Sequence, residues 1–203
     1  MFHMKKTLSA AMGVSLAVGL LLGSIALAAT NPAAPGQNKL VCFDGTTDGG
    51  YGGTCTVSNG AKGPATLDNT DNNVNGDYAG VYIQNSNLMG EILGQVSQLS
   101  YSYTGTTAPM PGDLSLNLPL STGGYAYVDA YYCSGNLGSV DVINDSNCGI
   151  WYDNTEYANW AALAAAYPSA TISGTPFIVA ERTPTEGPAY WTINHVKFGK
   201  PGK

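Results

Sequence analysis

Charge is scarce in this chain. Only 11% of its 203 residues are Asp, Glu, Lys or Arg, and 14 acidic residues outnumber 8 basic ones. A chain of net charge -6 repels phosphate backbones, which argues against a nucleic-acid partner. Histidine is scarcer still, with only His3 and His195. His195 stands in Thr-Ile-Asn-His-Val beside no nucleophile motif, and no G-x-S-x-G occurs. A hydrolytic triad therefore lacks a base in a suitable setting. His195 reads as a half-buried, hydrogen-bonded strand residue. No cysteine pair has C-x-x-C spacing, which argues against a structural zinc site.

Long apolar runs are confined to the N-terminus. Met4-Lys5-Lys6 is a short positive segment, Leu8 to Leu22 is uncharged and apolar, and Ala26-Leu27-Ala28 is a small-x-small cleavage pattern. These three parts make a signal peptide over 1–28. Residues 29–38 follow as a Pro- and Ala-containing flexible leader, and 39–200 as a single domain. Loss of Lys5 and Lys6 with the signal takes the net charge to about -8. Gly199 to Lys203 carries no sorting motif or hydrophobic tail. The expectation is a secreted protein, extracellular or periplasmic, with no membrane anchor in the mature chain.

What the chain has in quantity is glycine (26), tyrosine (13) and an even set of four cysteines. Export and an even count predict two disulfides. The close spacing and Gly-rich intervals favour Cys42–Cys55 and Cys133–Cys148 over the two crossed pairings. Each loop would stabilise the fold by roughly 3 kcal/mol in the chain-entropy view.

Strand signals dominate the rest. Leu40 to Phe43 is short and apolar, and Gly80 to Gln84 contains Val81-Tyr82-Ile83. Leu99 to Tyr103 alternates, and Leu114 to Leu120 puts four leucines on one face. Tyr125 to Tyr132 alternates again, with Ala126, Val128, Ala130 and Tyr132 on the side suited to a core. Thr175 to Ala180 and Tyr190 to Phe198 read as the last two strands. One Ala-rich helix is predicted over Thr155 to Tyr167, with Thr155 as N-cap. Tyr157, Trp160, Ala161 and Ala164 would form its packing stripe. The fold class is all-β: a jelly-roll type β-sandwich with one short helix, stapled by disulfides.

Three segments carry a resemblance: Gly-Asp-Tyr-Ala-Gly-Val-Tyr-Ile (Gly76 to Ile83), Gln-Leu-Ser-Tyr-Ser-Tyr (from Gln98) and Tyr-Trp-Thr-Ile-Asn-His-Val (from Tyr190). In architecture the chain resembles the jelly-roll carbohydrate-binding modules of secreted bacterial proteins. The resemblance implies a non-catalytic domain that binds a polysaccharide or glycan.

Candidate site residues fall into two groups. Tyr125, Tyr127, Asp129 and Tyr131 share one strand face by period two, and Trp151 could extend it. Rings stack on the apolar faces of pyranoses, and a carboxylate accepts hydroxyl hydrogen bonds. The bland alternative is that these tyrosines pack against a neighbouring layer. The second group, Asp71, Asn73, Asn75 and Asp77, fits D-x-[DN]-x-[DN]-G and could hold a calcium ion, with Asp68 nearby. Position twelve is Tyr82 rather than a bidentate Glu, so a metal-free turn competes with it. Carboxylates for a glycosidase exist (Glu91, Asp129, Asp153, Glu156, Glu181, Glu186), but no pair is closely spaced along one strand. Two functions stay open: a secreted glycan-binding domain, with or without structural calcium, and a structural or adhesive surface or matrix protein that engages a protein partner.

Overall fold

The computed structural model describes residues 38–199 except 49, 61, 62, 72 and 134–137. The expected signal peptide, the leader to residue 37, Lys200 and Asn72 of the calcium motif lie outside the described residues. The strands are β1 (Lys39–Asp44), β2 (Thr54–Val57), β3 (Ala65–Asn69), β4 (Asp77–Gln84), β5 (Gln98–Gly105) and β6 (Leu114–Pro119). They continue with β7 (Tyr125–Asp129), β8 (Ser139–Asp141), β9 (Ile150–Tyr152), β10 (Thr155–Tyr157), β11 (Phe177–Arg182) and β12 (Ala189–Gly199). One α-helix, α1 (Trp160–Ala166), is present among the described residues. None of these helical segments is long and apolar enough to cross a membrane.

The chain is an all-β sandwich. One sheet runs β1-β4-β11-β6-β7-β9-β10 and the other β2-β3-β12-β5-β8, and every pairing between these strands is antiparallel. Alternation decides which side chains enter the core between the sheets. From the wider sheet come Ala79, Val81 and Ile83 of β4, Leu114, Leu116 and Leu118 of β6, and Ala126 and Val128 of β7, all fully buried. Leu67, Leu99, Trp191 and Ile193 meet them from the narrower sheet. Tyr152 of β9 meets Tyr167, at the end of α1, edge-on at 5.0 Å, and Trp160 Nε1 ties α1 to the 3-10 turn at Leu93–Gln95 by donating to the Leu93 carbonyl. Both expected disulfides are formed, Cys42–Cys55 and Cys133–Cys148. The first joins β1 of one sheet to β2 of the other.

The helix begins later than its composition predicts. Thr155 to Tyr157 form β10, paired with β9. Asp153 and Asn154 take left-handed backbone (φ 48° and 58°) and turn the chain between those strands. Asn and Asp tolerate that conformation better than other non-glycine residues. The N-cap is Asn159, whose Oδ1 accepts from Ala162 N at 3.0 Å, and not Thr155. The buried helical residues are Trp160 and Leu163, while Ala161 faces solvent. The last strand is also interrupted. The β12–β5 register shifts between Asn194 and Lys197, and His195 sits at φ 49°, a β-bulge. His195 is exposed rather than half-buried, with Nδ1 2.8 Å from Ser102 Oγ.

Candidate functional site

The outer face of the seven-stranded sheet gathers aromatic side chains from several strands. Its register places Val41, Tyr82, Phe177, Asn117, Tyr127, Trp151 and Glu156 in one row, from edge strand β1 to edge strand β10. A second row holds Phe43, Gly80, Val179, Ser115 and Asp129. Gly80 is necessary there, because a Cβ would collide with the Phe43 ring and the Ile178 carbonyl. The rings touch in sequence. Centroids lie 4.7 Å apart for Phe43–Tyr82, 5.7 Å for Tyr82–Phe177, 5.6 Å for Phe177–Tyr125 and 6.2 Å for Tyr125–Tyr127. Tyr82, Tyr125 and Trp151 are each 39% exposed and Tyr127 46%. These side chains are partly covered by the sheet and partly open to water.

The middle of this face is polar. β6 presents Ser115, Asn117 and Pro119 outward, and only Asn117 has rings on both sides, Phe177 and Tyr127. Asn117 is buried, and its Nδ2 donates to Ser115 Oγ at 3.1 Å. Since β6 lies between β11 and β7, Asn117 sits low between Phe177 and Tyr127, and the Phe177 and Tyr125 rings meet across β6. Glu181 of β11 carries the outward position beyond Val179. Desolvation raises its pKa above the usual carboxylate range. Desolvation also raises the Tyr127 phenol, helped by Tyr125 and by the charge of Glu181, and keeps it neutral.

The expected tyrosine face is present in part. Tyr125, Tyr127 and Trp151 project outward together, and Trp151 lies directly opposite Tyr127. Tyr131 does not share the strand: β7 ends at Asp129, and Ala130 to Tyr132 form a 3-10 turn. Tyr131 and Tyr132 are both exposed and pack edge-on at 5.0 Å, so Tyr132 is no core residue. Asp129 caps this turn. Its Oδ1 accepts from Tyr131 N at 2.9 Å and its Oδ2 from Gly112 N at 2.5 Å. Burial nevertheless raises its pKa, against the lowering by those two bonds. Tyr82, Phe177, Asn117 and Glu181 belong to the face and escape single-strand reading. Alternation marks Tyr82 and Phe177 as outward, but only register shows that they stand beside Tyr127.

At the start of β4 and in the loop before it, Asp77, Asp71 and Asn73 gather around Gly52, where a Cβ would crowd them. Their oxygens bond the backbone. Asp71 Oδ2 accepts from Gly53 N, Asp77 Oδ1 from Asn73 N and Asn73 Oδ1 from Asn75 N, at 2.9–3.0 Å. Asn75 Nδ2 donates to the Gly50 carbonyl, and Asp68 Oδ1 accepts from Thr70 N. Among the described residues, no three His, Cys, Asp or Glu side chains converge in a metal-binding arrangement.

No protein-family model, curated protein or solved structure matches this chain.

Proposed function

We propose that this chain is a secreted, non-catalytic domain that binds a carbohydrate on the outer face of its seven-stranded sheet. One observation carries the reading: the register row that sets half-exposed Tyr82, Tyr127 and Trp151 around the polar floor of Asn117. Half-exposed rings offer flat apolar area to a pyranose, and the phenol groups of Tyr82, Tyr125 and Tyr127 can bond its hydroxyl groups. The architectural resemblance to jelly-roll carbohydrate-binding modules points the same way. The N-terminal signal pattern and two disulfides support export.

The test is retention on insoluble and soluble polysaccharides. Tyr127→Ala should abolish retention and change stability by no more than about 1 kcal/mol, as for a surface position. If every polysaccharide fails and a protein partner is lost on the same substitution, the second reading stands. That reading, an adhesive or matrix protein, is favoured by the aromatic content of the face, since Tyr and Trp also mark protein interfaces. Calcium at Asp71, Asn73, Asn75 and Asp77 is a separate proposal, supported by the meeting of three of these side chains around Gly52. Millimolar calcium should then raise the Tm by linkage, and Asp71→Ala should remove the rise. An unchanged melt leaves a hydrogen-bonded turn alone.

A further inference from the structure

We infer that the ligand of the ring face is a neutral, linear glycan that lies across the strands, from β4 to β9, and is engaged along several consecutive sugar units. The inference rests on the carbohydrate reading above and adds direction, length and charge to it.

Direction follows from where the rings stand. Along β7 only Tyr125 and Tyr127 follow each other before Asp129 and the 3-10 turn divert the chain. Across the strands the rings of Tyr82, Phe177, Tyr127 and Trp151 occupy one register row. The row is broken only at Asn117, which is 3% exposed, and there the Phe177 and Tyr125 rings, 5.6 Å apart, bridge across β6. A rigid chain laid along this row meets one ring after another from β4 to β9.

Length follows from strand spacing. Tyr82 and Trp151 are separated by four strand steps, which is ~19 Å at ~4.8 Å per step. One strand step is close to the rise of one pyranose in an extended chain, so the row accommodates about four units. A monosaccharide would cover one ring and leave the others in water.

Charge selects the class. Among the described residues of these strands, the outer face carries the carboxylates of Asp129, Glu181 and Glu156. Its cation is Lys39, at the far end of β1. A uronate or sulfated glycan would set its anions beside these carboxylates, at a cost. An uncharged glycan meets acceptors for its hydroxyl protons instead.

Calorimetric titration of the mature chain tests all three. The probes are neutral linear β-glucan, xylan, mannan and chitin fragments of two to six units, beside oligogalacturonates of equal length. At least one neutral series should bind, with affinity rising to about four units and then levelling. The oligogalacturonates should not bind. Tyr82→Ala and Trp151→Ala, at the two ends of the row, should each weaken tetramer binding roughly threefold to tenfold. Trp151→Phe should restore most of the loss, and Thr192→Ala on the opposite sheet should change nothing. A plateau already reached with dimers, or equal binding of oligogalacturonates, overturns this inference and leaves the carbohydrate reading standing. Failure of every neutral and acidic series overturns both.

Discussion

Across the outer face of the five-stranded sheet, Thr56, Thr66, Thr192 and Thr104 stand in one register row, with Thr54, Asp68 and Tyr190 in the next. Across the outer face of the seven-stranded sheet, the corresponding row carries Tyr82, Phe177, Asn117, Tyr127 and Trp151. Both faces look outward by the same alternation, and both sheets bury leucine, valine and alanine behind them. Threonine satisfies a solvent-facing strand through β-propensity alone. Half-exposed rings are not required by the fold, because the threonine face does without them apart from Tyr190. The difference teaches that the ring face answers to something other than folding.

The comparison is most strongly tested by removing the foundation that both faces share. Arg182 of β11 bonds Asp113 Oδ2 at 2.9 Å, with both side chains almost fully buried, and its guanidinium lies 5.2 Å from the Trp191 ring of β12. The pair therefore ties one sheet to the other. Asp113→Ala leaves a buried arginine unpaired and should cost about 3–5 kcal/mol in chemical denaturation. Ligand retention and fold should then be lost at one denaturant concentration, since neither face survives alone.

Removing one bridge at a time separates the regions. Cys133→Ser with Cys148→Ser, and Cys42→Ser with Cys55→Ser, should each lower stability by roughly 3 kcal/mol, because the two loops are nearly equal in length. Only the first pair should also weaken retention, as Cys148 precedes the strand that carries Trp151. Equal loss of retention in both variants would show that the ring face depends on the whole sandwich rather than on its own strands.

Small substitutions should distinguish the faces by packing. Gly80→Ala forces a methyl into the Phe43 ring and the Ile178 carbonyl and should cost about 1–3 kcal/mol. Thr56→Ala, on the exposed edge of the threonine face, should stay within about 0.5 kcal/mol. Thermal melts compare them directly.

The smallest effect is electrostatic. Desolvation raises the folded-state pKa of Glu181, so the folded chain holds this proton more tightly than the unfolded chain. Ionisation therefore lowers stability as pH rises from the ordinary carboxylate range through the raised value. Glu181→Gln should give a slightly higher Tm at neutral pH, with no advantage once the pH falls below the ordinary carboxylate range. The side chain reaches solvent, which screens the effect and keeps it small. A variant less stable than the parent at neutral pH would contradict the assigned sign.

Much of the sandwich was legible in the sequence, because period-two alternation is a local property. Leu114, Leu116 and Leu118, and Ala126 and Val128, face the core as their spacing predicts. The cysteine pairs followed from their even number, the expected export and short separation. The candidate site was legible only along β7. Tyr125 and Tyr127 could be placed on one face, but Phe177 lies fifty residues away from Tyr127 and meets it only through β6. Register depends on long-range pairing, and no local pattern encodes it. Other differences arose from competing local chemistry. Asp153 and Asn154 make a left-handed turn that turns Thr155 to Tyr157 into a strand, and Asn159 then takes the cap. Asp129 draws in the amide of Tyr131 and ends the strand two residues before that tyrosine.

The bridge between β1 and β2 has a mechanical meaning. β1 is the first described strand and an edge of its sheet, so a pull applied at Lys39 would peel it from β4 one hydrogen bond at a time. The fourth residue of β1 is Cys42, linked covalently to Cys55 in the other sheet. Peeling would stop after Lys39, Leu40 and Val41, and the load would pass to β2 and β3. A domain tethered through its N-terminal side could then carry tension while Tyr82, on the neighbouring strand, kept its place.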